Sequence, residues 1–257
     1  MIQTISQWQG NFVADGIFIR AQAVDDHTDK LTPSELKAIG TSVAVRRHTY
    51  STGRLCAKTA LRDIGFDHRD YSDGLLRQED GSALWPEAAV GSISHTNDWA
   101  IAAVAKSSSD YLSLGVDIEK IDRVNTDVLR HIATDEERRI LESDFTVRWG
   151  RVALFSIKES LYKCLRPFYG TFFGFKDVQV SNLNTPLIHG DIHDNAHGET
   201  DGGPTVQPET QPEFYSPAIN LILPSLAECC DEHRISARLA ILPQHVISLV
   251  TYRKAPG

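Results

Sequence analysis

No apolar run in this chain approaches the roughly 18 residues needed to span a bilayer. The opening Met-Ile-Gln-Thr-Ile also lacks a charged segment ahead of an apolar one. The expectation is a cytoplasmic protein with no membrane span. Cysteine is scarce: Cys56, Cys164, Cys229 and Cys230 show no C-x-x-C spacing and no nearby histidine pattern. That argues against structural zinc and against a disulfide framework, and for reduced, mostly buried thiols. Lys and Arg are absent from residues 185–215, which carry Asp191, Asp194, Glu199, Asp201, Glu209 and Glu213. Apolar side chains are sparse between Pro186 and Pro217 as well, which predicts an acidic, flexible surface loop over about 185–215. His189, His193 and His197 are evenly spaced there, but Gly190 and Gly198 argue against a helix that would align them for a metal.

With 41% hydrophobic and 23% charged residues, the 257-residue chain belongs to the globular class and has the length of one large domain or two small ones. The acidic segment alone supplies six of the eight net negative charges. Residues 37–69 run the other way, with Lys37, Arg46, Arg47, Arg54, Lys58, Arg62 and Arg69 against Asp63 and Asp67. Screening confines such a field to about 8–10 Å, so this basic stretch can attract an anion although the whole chain is negative. No nucleic-acid partner is expected.

Turn and cap signals divide the remainder. Asp15-Gly16, among Phe12, Val13, Ile17, Phe18 and Ile19, predicts a hairpin or strand pair over 8–24. Thr32-Pro33 predicts a helix start, and Ser42 to Ile64 has helical spacing closed by Gly65. On that helix Arg47 and Arg54 lie two turns apart, a stack of guanidinium forks that suits a phosphate or an ordinary solvated face. Leu75 to Pro86, with Arg77 and the turn Glu79-Asp80-Gly81, is connecting structure. Val90–His95 and Ala100–Ala105 predict a hairpin. At the end of its first strand Ser94 and His95 can both reach a phosphate, but strand neighbours face opposite ways and are no nucleophile pair. Asn125 caps a helix to Ile132, Thr134-Asp135-Glu136-Glu137 is a capping box, and a long helix is predicted from Val147 to Arg166, ended by Pro167 and Gly170. Runs at Phe175–Leu183, Ala218–Leu223, Ile235–Leu242 and Val246–Tyr252 predict a second antiparallel sheet.

Two stretches concentrate the chemistry. In Gly115-Val116-Asp117-Ile118-Glu119 the strand period of two puts both carboxylates on one face. Paired acids repel unless a cation lies between them, which suggests an oxygen-liking metal such as Mg²⁺, whereas an isolated D-x-E is more often a solvated strand end. The second stretch, Phe155 to Lys163, holds Lys158, Glu159 and Lys163 on a helix apolar over much of its girth. Glu159 and Lys163 share a face at i,i+4, and charges on so apolar a helix need partners.

Together, Gly115-Val116-Asp117-Ile118-Glu119 and Phe155-Ser156-x-Lys158-Glu159-Ser160-x-x-Lys163 resemble the two signature motifs of the 4′-phosphopantetheinyl transferases of the surfactin and enterobactin-synthetase type. Arg46-Arg47 through Gly53-Arg54-x-Cys56-Ala57, Trp85-Pro86 and Gly91-Ser92-Ile93-Ser94-His95 add to the match, which covers about Arg46 to Lys176. Two departures are Phe155, where many members carry tryptophan, and the acidic loop, which has no counterpart in the usual pattern.

The resemblance implies an α+β fold of two similar halves with antiparallel sheets related by a pseudo-twofold axis, divided here as 1–114 and 115–257. It implies a monomer that moves phosphopantetheine from coenzyme A to a serine of an apo acyl or peptidyl carrier protein, with release of 3′,5′-ADP. By the same resemblance Asp117, Glu119 and Glu159 hold Mg²⁺, and Lys158 and Lys163 lie near the pyrophosphate. Arg47, Arg54, Arg77, Ser94 and His95 match positions that hold the phosphates and nucleotide. Glu159 is the expected base, directly or through a metal-bound water, and Lys163 its catalytic companion. A coenzyme A or nucleotide-binding protein without transfer activity, and a Mg²⁺-dependent phosphohydrolase, are the competing readings.

Overall fold

The computed structural model describes residues 16–107, 109–143, 149–183 and 213–255. The first arm of the expected hairpin, the three evenly spaced histidines and most of the acidic loop lie outside these residues.

A mixed α/β fold with antiparallel sheets is observed. Strands β1 (Ile17–Ala23), β2 (Ala89–His95) and β3 (Trp99–Lys106) form a sheet in the order β1-β3-β2. Strand β4 (Tyr111–Lys120) pairs instead with β9 (His245–Arg253), which pairs with β8 (Ile235–Ile241), and β6 (Glu213–Tyr215) closes the order β4-β9-β8-β6. β5 (Val178–Ser181) and β7 (Ala218–Leu221) make a separate pair. The single second sheet expected from the C-terminal runs is thus two sheets, because β4 supplies the edge that β9 completes. Glu213–Tyr215, expected within the loop, is a strand on β8: Phe214 and Tyr215 supply the aromatic, β-prone side chains that pay no part in an open loop.

Helix α1 (Pro33–Ile39) starts at Thr32 with a complete capping box to Glu35, as Thr-Pro-x-Glu dictates. Helix α2 (Ala44–Asp63) ends at Gly65, whose φ of 93° only glycine adopts freely. Helix α3 (Thr126–Ile132) is capped by Asn125, and α4 (Asp135–Ser143) by the Thr134 and Glu137 pair. Helix α5 (Gly150–Tyr169) runs through Pro167 to a left-handed cap at Gly170, so the proline sits in the last turn and does not end the helix. A short α6 (Pro224–Cys229) follows β7.

The layers are α2, first sheet, second sheet, α5. Ala57, Ala60 and Leu61 of α2 pack on Ala100, Ala102 and Val104 of β3, while Ile101 and Ala103, facing the other way, meet Leu114, Val116 and Ile118 of β4. Leu154, Ile157, Leu161 and Leu165 of α5 pack on Val246 and Val250 of β9. At about 25 cal/mol per Å² of apolar surface removed from water, these three interfaces are the main favourable term. Because β4 turns Leu114, Val116 and Ile118 toward the first sheet, the alternate residues Gly115, Asp117 and Glu119 face α5.

Candidate functional site

Gly115 sets how closely the acidic strand approaches α5. A Cβ at this position would collide with the Ser160 carbonyl and lie 2.9 Å from the Cys164 nitrogen, so only glycine lets backbone meet backbone. Serines keep the rest of that interface thin. Ser156 and Ser160 hydrogen bond to the Ser248 hydroxyl on β9 at 2.8 and 2.7 Å, all three buried. The first glycine of the acidic motif and the serines of the helical motif therefore have one consequence: they bring Asp117 against Lys163.

Lys163 Nζ donates to Asp117 Oδ1 at 2.8 Å, to the Val116 carbonyl at 3.1 Å and to Ser94 Oγ at 3.0 Å. Ser94 in turn donates to Asp117 Oδ1 at 2.7 Å. The ammonium thus ties α5, β4 and β2 together. Asp117 is 2% exposed, and its Oδ2 is buried with no hydrogen-bond partner. Burial, then the charge of Asp117, pushes the Glu119 carboxyl up to about 7, against the pull of Arg123 and Lys163; Glu159 adds to the rise. Burial raises Glu159 too, opposed by Lys163 and reinforced by Asp117. Three carboxyls that feel one another's charge, one with an orphaned oxygen, are a donor set that fits a hard, oxygen-liking cation. Among the described residues no three His, Cys, Asp or Glu side chains are already gathered into a metal cage.

Beside these acids lies a cavity of about 430 Å³ whose walls come from both halves of the chain. Arg46, Arg54, Arg77, His95, Lys163 and Arg166 line it, with Glu159 and Asp80 as the acids. Trp85 forms an apolar wall over β2, and a Cβ at Gly91 would come within 2.6 Å of its ring. Arg54 stacks on the Tyr50 ring at 4.4 Å, and burial is the largest influence on it, pulling its pKa down. Burial lowers His95 as well, followed by Arg46 and Lys163, so near neutral pH its imidazole is uncharged and can donate through one nitrogen.

Three expectations change. Lys158 is 1% exposed and does not line the cavity; its Nζ pairs with Glu137 at 2.7 Å and donates to the carbonyls of Ile132, Phe175 and Val178. Next to Glu159 in sequence, it lies about 100° away round the helix, on the core side. Arg47 also stays outside. The face of α2 turned to the cavity runs through Arg46, Thr49, Tyr50 and Gly53, and Arg54 stands at its margin; Arg47 falls beyond, within the field of Asp26. Ser94 is spent on Asp117 and Lys163 and is not a wall residue, whereas Arg54, Arg77 and His95 are. Sequence reasoning passed over Arg166, although Glu159, Lys163 and Arg166 recur at helical spacing on one face.

Comparison with known proteins now decides the family. A model of the 4′-phosphopantetheinyl transferase N-terminal domain matches residues 34–105, and one of the 4′-phosphopantetheinyl transferase superfamily matches residues 113–200, together more than half the chain. The chain belongs to the 4′-phosphopantetheinyl transferase superfamily. It is 32% identical over 163 residues to the 4′-phosphopantetheinyl transferase Svp of Streptomyces mobaraensis, covering 62% of this chain and 64% of that one. To the 4′-phosphopantetheinyl transferase PptT of Mycobacterium tuberculosis it is 31% identical over 151 residues, 58% of this chain and 64% of the relative. Enterobactin synthase component D of Escherichia coli is 32% identical over 146 residues, 56% and 65%. The chain thus spans a little under two thirds of the length of these relatives. Among the described residues no helix is long and apolar enough to cross a membrane.

Proposed function

We propose that this protein transfers 4′-phosphopantetheine from coenzyme A to a serine hydroxyl of an apo carrier-protein domain and releases 3′,5′-ADP. The observation that carries this reading is the convergence of Asp117, Glu119, Glu159 and Lys163, from one strand and one helix, on the edge of a cationic cavity. Arg46, Arg54, Arg77 and His95 hold the phosphates and nucleotide of coenzyme A. Asp117, through its unpartnered Oδ2, with Glu119 and Glu159, would hold Mg²⁺, which when bound supplies charge neutralisation at the pyrophosphate.

The serine oxygen attacks the phosphorus that bears the pantetheine arm, the bond from that phosphorus to the bridging oxygen breaks, and the electron pair leaves with 3′,5′-ADP. Glu159 receives the serine proton. Its raised pKa brings a carboxylate closer to the basicity such a transfer needs. Lys163, at the cavity wall beside Glu159, offsets charge on the leaving group. We further infer that the halves are related by a pseudo-twofold axis; the division expected between residues 114 and 115 falls inside β4 and is moved here to the turn before that strand. Supporting this, the sheet orders β1-β3-β2 and β4-β9-β8 have the same connectivity, each with a 20-residue helix on its outer face.

The test is mass spectrometry of an apo carrier protein incubated with the enzyme, coenzyme A and Mg²⁺. The expected result is a carrier heavier by one phosphopantetheine, formed at least about a hundredfold more slowly by Glu159→Gln, the scale of losing a general base. Coenzyme A bound but carrier unmodified would favour a binding protein, and 3′,5′-ADP released without any carrier would favour a phosphohydrolase.

A further inference from the structure

Arg166 holds a position that the motifs do not account for. It follows Lys163 by nearly one turn on α5 and lines the same cavity, and its Nε and Nη1 are both buried without a hydrogen-bond partner. Lys163, its neighbour on the helix, makes three hydrogen bonds, and Arg54, the other cavity arginine with a buried unpartnered nitrogen, leaves only its Nε open. Two donors withdrawn from water and left open on a half-buried guanidinium are costly, and such groups occur in folded proteins where something else completes them.

Asp80, an acid in the same cavity wall, does not complete it. Asp80 feels the charge of Arg166, but its Oδ1 is committed to the Ser82 amide at 2.9 Å and the Ser82 hydroxyl at 2.7 Å, and no Arg166 contact within ion-pair distance is formed. Asp80 instead holds the turn that carries Gly81, against which the Arg77 guanidinium lies: a Cβ at Gly81 would sit 3.0 Å from Arg77 Nη2. Among the described residues, Arg77 from the N-terminal half and Arg166 from the C-terminal half therefore line one cavity as two cations with no carboxylate ion-paired to either.

Resting on the functional reading above, we propose that Arg166 is a further substrate-binding residue, which donates its open N–H groups to an anionic phosphate oxygen of coenzyme A. It acts on the bound nucleotide in the ground state and the transition state alike, so it sets affinity and not the rate of the bound complex. A guanidinium held by the last turns of a packed helix loses little freedom on binding, which makes it a better anchor than a free surface arginine.

Coenzyme A affinity by calorimetry, KM and kcat of carrier modification, and the melting temperature are measured for the wild type, Arg166→Gln and Arg166→Lys. The expected result is a Kd and KM for coenzyme A raised on the order of tenfold in Arg166→Gln, with kcat within about twofold and part of the loss restored in Arg166→Lys. 3′,5′-ADP should lose affinity in parallel. Wild-type affinity in Arg166→Gln, or a fall in kcat with KM unchanged, overturns the assignment. If the wild type binds coenzyme A and Arg166→Gln binds it equally, this inference alone fails; if the wild type binds none, the functional reading fails and takes this inference with it.

Discussion

The N-terminal and C-terminal segments each place a capped helix ahead of a 20-residue helix, yet they line the cavity with different side chains. In each, a threonine-capped helix precedes a 20-residue helix, and the capping glutamate is buried: Glu35 in the first half, Glu137 in the second. Each glutamate accepts its own cap's N–H, from Thr32 and Thr134, and a second N–H from a later segment, Leu75 and Val180, while a lysine on the long helix neutralises it, Lys58 and Lys158. Toward the cavity the resemblance ends. The first half offers Arg46, Arg54 and Arg77, the second Glu159 with Lys163 and Arg166. The buried glutamate and lysine thus fix a helix in each segment, and the side chains that differ are the ones that line the cavity.

The largest difference that mutation can expose lies in two glycines. Gly53 is on helix α2 and a Cβ there would meet only the Ile93 methyl at 3.0 Å, whereas Gly115 is on the strand and would meet the backbone of α5. Gly53→Ala should cost little, because a small shift of Ile93 is offset by the roughly 1 kcal/mol that alanine gains over glycine in a helix. Gly115→Ala should destabilise by more than about 3 kcal/mol, the range of overpacking that cannot relax, and separate Asp117 from Lys163. Urea unfolding measures both; similar losses in the two variants would mean that the two helix and sheet contacts are equally tight.

Next come the buried lysines. Removing one partner of a buried pair leaves the other charged and enclosed, at about 3–5 kcal/mol. Lys158→Met should fall in that range, since the lysine and Glu137 side chains are 0% and 2% exposed. Lys58→Met should lose roughly 1–2 kcal/mol, since the Lys58 side chain is 12% exposed and water can reach part of the space it leaves. Were Lys158 a substrate contact instead, its loss would raise the KM for coenzyme A and leave the melting temperature in place.

What the sequence made legible follows what is local. The caps at Thr32, Asn125 and Thr134, the stop at Gly65 and the hairpin before Trp99 were readable because each is decided within a few residues. The two motifs were readable as strand and helix, and hence as acids on one face of each. Helical phase was less so. A spacing of seven places Arg47 and Arg54 together, but which side of the helix meets a cavity depends on how α2 lies on β3, and that is set by alanines and leucines elsewhere in the fold. The fate of Lys158 was hidden for a similar reason, since its acceptors come from Ile132, Phe175 and Val178, segments on either side of α5 in the chain.

The smallest contrast tests that helical phase directly. Arg46 lines the cavity and adds to the field on His95, while Arg47 lies on the side of Asp26, so one step of the helix separates a charge in the cavity wall from one outside it. Arg46→Ala should raise the KM for coenzyme A about tenfold, the lower end for a charge-assisted hydrogen bond, because Arg46 is exposed and its charge is partly screened. Arg47→Ala should stay within about twofold, since a charge beyond the cavity wall acts only through a field that salt damps over 8–10 Å. Raising the ionic strength should therefore erase the Arg47 effect first and leave most of the Arg46 effect. A larger KM change for Arg47→Ala than for Arg46→Ala would show that α2 is rotated by about 100° relative to the face described, and would return Arg47 and Arg54 to a single phosphate-binding row.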